Sequence, residues 1–184
     1  IHSKRFALSL FSKGEGVYTE LQMLLSHAKQ EECITFNRSR IWYDINNTDL
    51  TFDNYLELQL QNSSVLELKL FELLSCAEEP LTSKRIAKVL SRPFLEIDAI
   101  CICLLKKRIL RETDRGLEYS LIRTKQAIFE MTSPANQKYY FSNLWQSRVE
   151  KNSLVSVYYG LNTTISESFR LELLKTGTYA LGHN

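Results

Sequence analysis

The side chains that most often perform catalysis are few in this sequence, and they lie apart. The three histidines are His2, His27 and His183, and their spacing forms no motif. The adjacent carboxylates Glu31-Glu32 and Glu78-Glu79 point apart, which is typical of solvated surface rather than of an acid and base pair. The sequence contains no glycine-rich phosphate loop, nucleophile elbow or HExxH motif. We therefore predict that the protein is not an enzyme and uses no cofactor.

The four cysteines show neither metal-ligand spacing nor the pattern of a disulfide framework. They are Cys33, Cys76, Cys101 and Cys103. The last two lie two residues apart on an apolar helical segment, so they face different sides of that helix. We interpret the four as buried thiols that bind no metal, in a protein of a reducing, intracellular compartment.

Composition and length bound the class of protein. The chain has 184 residues, a length sufficient for one large domain or two small ones. Its net charge of +2 at pH 7 and its 44% hydrophobic residues are typical of soluble globular proteins. No apolar segment is long enough to span a bilayer, so we predict no contact with membranes. Because the first residue is Ile and not Met, we expect the sequence to be a piece of a longer protein.

Basic side chains are concentrated in the central part of the chain. The candidates for contact with nucleic acid are Lys84, Arg85, Lys88, Arg92, Arg111 and Arg115. A solvated surface with a modest excess of positive charge is the commoner meaning of such a pattern, and a phosphate-binding patch is the rarer one. Any affinity for nucleic acid is expected to be weak and sensitive to salt.

The elements that position these residues lie between positions 63 and 122. A first helix begins at a Ser64 to Glu67 capping box and ends before Pro80, and Thr82 caps a short second helix. Ser91-Arg92-Pro93 then breaks the helical pattern, because proline has no N–H and disfavours a helical residue before it. A third helix is predicted from this break to about Lys107.

Two strand-like runs follow the third helix. They cover Arg108 to Thr113 and Leu117 to Leu121, and Asp114-Arg115-Gly116 joins them as a turn in which glycine adopts positive φ without penalty. Three helices followed by a hairpin is the order of a winged helix-turn-helix. We predict this fold for residues 63–122.

The third helix indicates which kind of partner the module binds. A helix that reads DNA offers Arg, Lys, Asn or Gln to base edges, but the charged residues between Phe94 and Leu105 are Glu96 and Asp98. Leu95, Ala99 and Ile102 fall outside its core-facing side, and a helix that is apolar on nearly all sides is covered on nearly all sides. These five residues are therefore candidates for contact with a second element of the chain or with a partner protein.

Aromatic residues are concentrated downstream of the hairpin. The predicted elements there are a helix from Thr124 to Met131, a helix from Lys138 to Glu150, a strand from Leu154 to Tyr159 and a helix from Thr164 to Gly177. Tyr139, Tyr140 and Trp145 complete the partner-binding candidates, because tyrosine and tryptophan are favoured at protein interfaces. Core packing is the commoner role of such residues, and stacking on unpaired bases is a rarer one. We expect these closing segments to pack on the second module and to cover its third helix.

The first 60 residues repeat the same order of elements. Helices are predicted from Ser3 to Ser12 and from Thr19 to about Gln30, then a hairpin formed by Cys33 to Phe36 and Ile41 to Ile45. A further helix from Phe52 to Leu60 leads to the second module. The predicted fold class is therefore mainly α with small β-hairpins, as two tandem winged helix-turn-helix modules at residues 1–60 and 61–184.

The central unit resembles the C-terminal winged helix of the middle subunit of replication protein A. The residues that carry this likeness are the helix from Leu66 to Leu74, the helix-turn-helix from Thr82 to Lys107 and the hairpin from Arg108 to Leu121. By its length and layout the whole chain resembles the C-terminal part of the corresponding, Stn-type subunit of the fungal CST telomere-capping complex.

This resemblance implies a nuclear, telomeric module without enzymatic activity. Its partners would be the B subunit of DNA polymerase α and the large CST subunit, and the module would contribute to telomere capping and restrain telomerase. The small CST subunit would be a further partner, and contact with single-stranded telomeric DNA would be weak or indirect, via the complex. The family's OB-fold, which binds DNA and the small subunit, is not in this sequence. The alternative from another class is a DNA-binding winged helix of a transcription regulator, whose hairpin would place Arg111 and Arg115 on phosphates.

Overall fold

The computed structural model describes residues 18–30, 34–37, 40–43, 52–147 and 154–163. The chain divides into two compact units, Ile1–Ser64 and Val65–Asn184. Within the described residues the fold is mainly α-helical with small antiparallel hairpins, which confirms the coarser part of the predicted fold class, mainly α with small β-hairpins. None of the helices in these ranges is long and apolar enough to cross a bilayer.

The described part of the first unit contains two helices and a hairpin. Helix α1 (Tyr18–Gln30) is followed by the antiparallel strands β1 (Ile34–Asn37) and β2 (Arg40–Tyr43) and by α2 (Phe52–Gln61). α1 packs on α2 and β1. The buried apolar residues of the two helices include Met23, Leu24, Ala28, Tyr55 and Leu56. The helix predicted from Ser3 to Ser12 lies outside the described residues.

The second unit begins with three helices and a second hairpin. These elements are α3 (Val65–Cys76), α4 (Ser83–Leu90), α5 (Phe94–Lys106), β3 (Leu110–Thr113) and β4 (Gly116–Tyr119). β3 and β4 are antiparallel, with Leu110 opposite Tyr119 and Thr113 opposite Gly116. The core between these elements is formed by apolar residues from each of them, including Leu70, Phe71, Leu73, Leu74, Ile86, Val89, Ile97, Leu104, Leu110 and Leu117.

The turn between α4 and α5 forms for local reasons. The Thr82 hydroxyl accepts a hydrogen bond from the Arg85 N–H at 3.3 Å and so caps the start of α4. Ser91 ends α4 in the left-handed conformation, with φ 52°, and its N–H donates to carbonyls of the last turn. Pro93 then stands directly before α5, where its missing N–H costs no helical hydrogen bond.

The hairpin is joined to the segment before α4 by a pair of backbone hydrogen bonds. The N–H groups of Leu81 and Leu117 each donate to the other residue's carbonyl at 2.9 Å. Gly116 has φ 138° and lies against the same segment, so that a Cβ atom there would be 2.6 Å from the Leu81 carbonyl carbon. Only glycine fits this position without strain or backbone movement.

Three further helices close the second unit. They are α6 (Ile122–Met131), α7 (Pro134–Ser147) and α8 (Leu154–Leu161). α6 and α7 pack on α3, α7 also packs on α4, and α8 packs on α7. The predicted strand from Leu154 to Tyr159 is wrong, because this segment is helical and buries Ser156, Tyr159 and Gly160 on one helical face. The helix predicted from Thr164 to Gly177 lies outside the described residues.

Candidate functional site: the outer face of helix α5

The candidate docking site is the solvent-facing side of α5. Ile97, Cys101 and Leu104 point into the core and are almost fully buried. The opposite side of the helix carries Leu95, Ala99, Ile102 and Lys106, all of which are exposed. Leu95 is 79% exposed and Ile102 is 45% exposed, which is high for large apolar side chains. We refer to these four residues as the α5 outer face.

The expectation that α5 is covered on nearly all sides is wrong within the described part of the chain. α5 packs on α4 and β3 through its core-facing side. The described closing helices α6, α7 and α8 lie against α3, α4 and one another, and they leave Leu95 and Ile102 open to solvent. An apolar face that the unit's own helices leave open is typical of a site of protein–protein contact.

The two ends of the α5 outer face carry opposite charges. Glu96 is exposed and Asp98 half-buried in the first part of the helix, whereas Lys106 and Lys107 are exposed at its end. Among the described residues, none of these four takes part in an ion pair. Both ends match the helix dipole, which favours acidic groups at the start of a helix and basic groups at its end. Their charges are therefore available to a partner.

The partner-binding candidates on α7 separate into one exposed and two buried residues. Tyr139 is exposed, but Tyr140 and Trp145 are only 3% exposed and belong to the core. The Tyr140 hydroxyl donates to the Glu72 carboxylate at 2.8 Å, and burial together with this hydrogen bond raises the pKa of Tyr140. Tyr140 and Trp145 are thus wrong as docking residues, because their rings are already occupied by the unit's own packing.

The predicted nucleic-acid-binding residues also separate into two groups. Arg85 is largely buried, with Nη1 2.6 Å from the Glu79 carboxylate and Nε donating to Ser147 Oγ at 3.4 Å. Its role is to join α4 to α7, which makes it wrong as a phosphate contact. Arg111 donates across the hairpin to Glu118 at 2.7 Å. The remaining candidates, Lys84, Lys88, Arg92 and Arg115, are exposed.

A shallow cleft lies between the end of α3, the hairpin and the start of α6. Its lining includes Glu78, Arg111, Glu118 and Lys125. These charges are paired within the unit, Arg111 with Glu118 and Lys125 with Glu78 at 3.3 Å. In the described ranges, no group of three or more His, Cys, Asp or Glu side chains is placed to hold a metal ion. Among the described residues, these four charged side chains of the cleft are therefore neutralised within the unit.

Sequence reasoning missed two residues that adjoin or extend the α5 outer face. Phe94 is 40% exposed at its start, and Lys106 continues the line of Leu95, Ala99 and Ile102 at its end. The spacing of 4, 3 and 4 residues from Leu95 to Lys106 is the heptad spacing of a helix–helix seam. This signal is present in the sequence, but which side of α5 faces the core becomes evident only from the packed structure.

The prediction that all four cysteines are buried is wrong for Cys103. Cys76 and Cys101 are buried, Cys103 is exposed on α5, and Cys33 lies outside the described residues. Burial raises the pKa of Cys76 to about 12 and that of Cys101 to about 11. The thiolate is the reactive form, and both buried thiols therefore stay protonated at neutral pH.

We expect iodoacetamide at pH 8 to alkylate Cys103 at least about tenfold faster than Cys76 or Cys101, because exposure and the thiolate fraction govern the rate. Tandem mass spectrometry of quenched time points distinguishes Cys101 from Cys103 within one peptide. Raising the pH to 9 should leave Cys76 slow, since its pKa stays about three units higher. Equal labelling rates at Cys101 and Cys103 would contradict this geometry of α5.

Comparison with known proteins gives no further assignment. No protein-family model matches the chain, and no curated protein or solved structure is significantly similar to it.

Proposed function

We propose that the second unit is a winged helix-turn-helix that binds proteins and not bases. The order α3, Leu81 bridge, α4, α5 and hairpin supports this fold, with Leu81 as a third, one-residue strand beside β4. The described hairpin between α1 and α2 is compatible with a related, shorter module in the first unit. In this proposal the chain is a non-enzymatic interaction module of a CST-like telomere end-protection complex in the nucleus. It docks the B subunit of DNA polymerase α and the large CST subunit.

The observation that carries the proposal is the exposed apolar side of α5. Leu95 and Ile102 offer no hydrogen bond to a base edge, and Glu96 and Asp98 would repel phosphates at the end of the helix that approaches DNA in base-reading proteins. An apolar seam with charged ends fits a protein helix or groove. The telomeric setting itself rests on the sequence resemblance.

The second candidate function is binding to duplex DNA, as in a transcription regulator. It is favoured by the exposed cations Lys84, Lys88, Arg92 and Arg115. Because α5 offers no Arg, Lys, Asn or Gln between Phe94 and Leu105, such binding would rest on phosphate contacts and would fall steeply as salt rises. Arg115→Glu with Lys84→Glu tests this candidate without disturbing the cross-strand pair of Arg111 and Glu118.

The deciding experiment measures protein capture and DNA binding on the same purified chain. Capture of the polymerase α B subunit is followed by pull-down, and binding to single- and double-stranded telomeric oligonucleotides by fluorescence anisotropy at low and physiological salt. Capture, with DNA binding that disappears at physiological salt, supports docking. Salt-resistant, sequence-selective duplex binding without capture would place the regulator function first.

We expect Leu95→Glu with Ile102→Glu to weaken capture of the polymerase subunit about 30-fold or more, because buried apolar anchors typically contribute at least about 2 kcal/mol at an interface. Both side chains are exposed in the free unit, so the melting temperature should change little. The matched control is Ile122→Glu, an equally exposed apolar residue on α6. Equal loss of capture in the control would show that α5 is not the docking element.

A further inference from the structure

The α5 outer face has the residue spacing of one helix of a coiled coil. Leu95, Ala99, Ile102 and Lys106 occupy successive d, a, d and a positions of a heptad repeat. Ile97 and Leu104 then fall at f positions, opposite the seam, and both are buried in the unit's own core. The helix therefore faces its own core with one side and presents a complete, short seam with the other.

The charges on this seam are complementary to the same seam in the opposite direction. The acidic end holds Glu96 and Asp98, and the basic end holds Lys106 and Lys107. In an antiparallel pair, each acidic end lies beside the partner's basic end, whereas a parallel pair sets like charges side by side. The helix dipoles also favour the antiparallel arrangement.

We propose that a second copy of this chain packs antiparallel on α5 and forms a two-fold symmetric dimer. In this register Leu95 lies opposite the aliphatic stem of Lys106 of the other copy, and Ala99 lies opposite Ile102. The small Ala99 side chain allows the two helices to approach closely at the centre. Such a self-complementary patch gives a closed interface, in which each residue pair occurs twice.

The inference deepens the proposed function, on which it rests for its role, because dimer and docking use the same face. The dimer keeps Leu95 and Ile102 out of water until a protein partner displaces the second copy. The helix of 13 residues that carries the seam is only about 20 Å long, so the interface is smaller than that of a stable dimer, which buries at least about 1,200 Å². Self-association is consequently weak, and a competing partner can replace it.

The test is charge reversal at each end of the seam, measured by sedimentation equilibrium of the full 184-residue chain over a range of concentrations. Glu96→Lys with Asp98→Lys makes both ends of the seam basic, and Lys106→Glu with Lys107→Glu makes both ends acidic. Each double variant alone is expected to be monomeric where the unaltered chain dimerises. An equimolar mixture of the two should recover dimers, and so should the chain carrying all four substitutions.

This pattern of loss and recovery is specific for the antiparallel pair. A monomeric unaltered chain at all concentrations would overturn the inference, and so would a dimer that neither reversal weakens. Glu130→Lys with Lys138→Glu, which changes exposed charges on α6 and α7, is the control and should leave the dimer intact. Circular dichroism verifies folding, and Ala99→Arg, which places a cation at the centre of the seam, provides a second disrupting variant if a charge reversal unfolds.

The outcomes also separate this inference from the proposed function. Dimerisation is measured without the polymerase subunit, so a dimer without capture would support the inference and contradict the docking function. Capture of the polymerase subunit by a chain that stays monomeric would support the docking function and contradict the inference. If the chain both dimerises and captures the polymerase subunit, adding that subunit should convert dimers into one-to-one complexes. Leu95→Glu should then abolish both the dimer and the complex.

Discussion

Replacing Gly116 with alanine is expected to destabilise the second unit by about 2 to 6 kcal/mol, enough to unfold much of it. A Cβ atom at this position would lie 2.6 Å from the Leu81 carbonyl carbon and 2.8 Å from both the Leu81 oxygen and the Thr82 nitrogen. All three neighbours are backbone atoms, which cannot rotate away as a side chain can. Overpacking against these atoms costs about 1 to 3 kcal/mol. The strain of φ 138° for an L-residue adds about 1 to 3 kcal/mol.

Hydrogen exchange detects this change where it arises. The N–H groups of Leu81 and Leu117 are held by reciprocal 2.9 Å hydrogen bonds, and both should lose protection in the alanine variant. Because the chain has two units, exchange in the peptides of α1 and α2 serves as an internal reference and should change little. Arg115→Ala, one position earlier in the same turn, is the matched control, since its exposed side chain should contribute less than about 0.5 kcal/mol. Unchanged protection at Leu81 and Leu117 would mean that the hairpin does not approach this segment as described.

The helices and the hairpin between residues 63 and 122 could be predicted from the sequence because their signals are local. Thr82 caps α4, Ser91 to Pro93 separates two helices, and the positive φ of Gly116 closes a hairpin, each within a few residues. The contact of Gly116 with Leu81 is long-range and was not predicted. The same reasoning failed for α8, where the sequence from Leu154 to Tyr159 indicated a strand. Tertiary packing determines that this segment is helical, because the buried residues Ser156, Tyr159 and Gly160 share one face only in a helix.

The candidate site was predictable in its residues but not in its exposure. The apolar character of α5 and its two carboxylates are evident from the sequence, yet the same pattern suggested that the closing helices would cover Leu95 and Ile102. Periodicity identifies faces of a helix without showing which face meets the core. For the same reason Tyr139 is exposed and Tyr140, its neighbour in sequence, is buried, and only the tertiary structure separates an exposed residue from a core residue.

The two sides of α5 are expected to respond differently to substitution. The core-facing side fixes its position through Ile97, Cys101 and Leu104, so the outer face is held on a rigid element. Surface substitutions on that face should therefore alter binding with little effect on stability. Substitutions in the core behind it should do the opposite, and this contrast is the means of distinguishing docking from folding defects.

Tyr159→Ala is expected to lower the stability of the second unit by about 3 to 5 kcal/mol, as truncation of a buried aromatic residue does. Tyr159 is fully buried on α8 and contacts the rings of Phe141 and Tyr158. Its hydroxyl accepts a hydrogen bond from the Glu78 N–H at 2.8 Å, just beyond the end of α3. The ring therefore joins the closing helices to the first helix of the unit.

Tyr159→Phe separates the contribution of the ring from that of the hydroxyl. Phenylalanine keeps the ring contacts but leaves the Glu78 N–H without its acceptor, for a loss of about 1 kcal/mol. Urea denaturation followed by circular dichroism measures both variants, and exchange at the Glu78 amide should increase in each. If Tyr159 instead stacked on unpaired bases, the alanine variant would keep its stability and lose affinity for single-stranded DNA. Because Tyr159 is buried, we expect the alanine variant to lose stability. The ring is a part of the core that holds α8 on α7 and joins α8 to the end of α3.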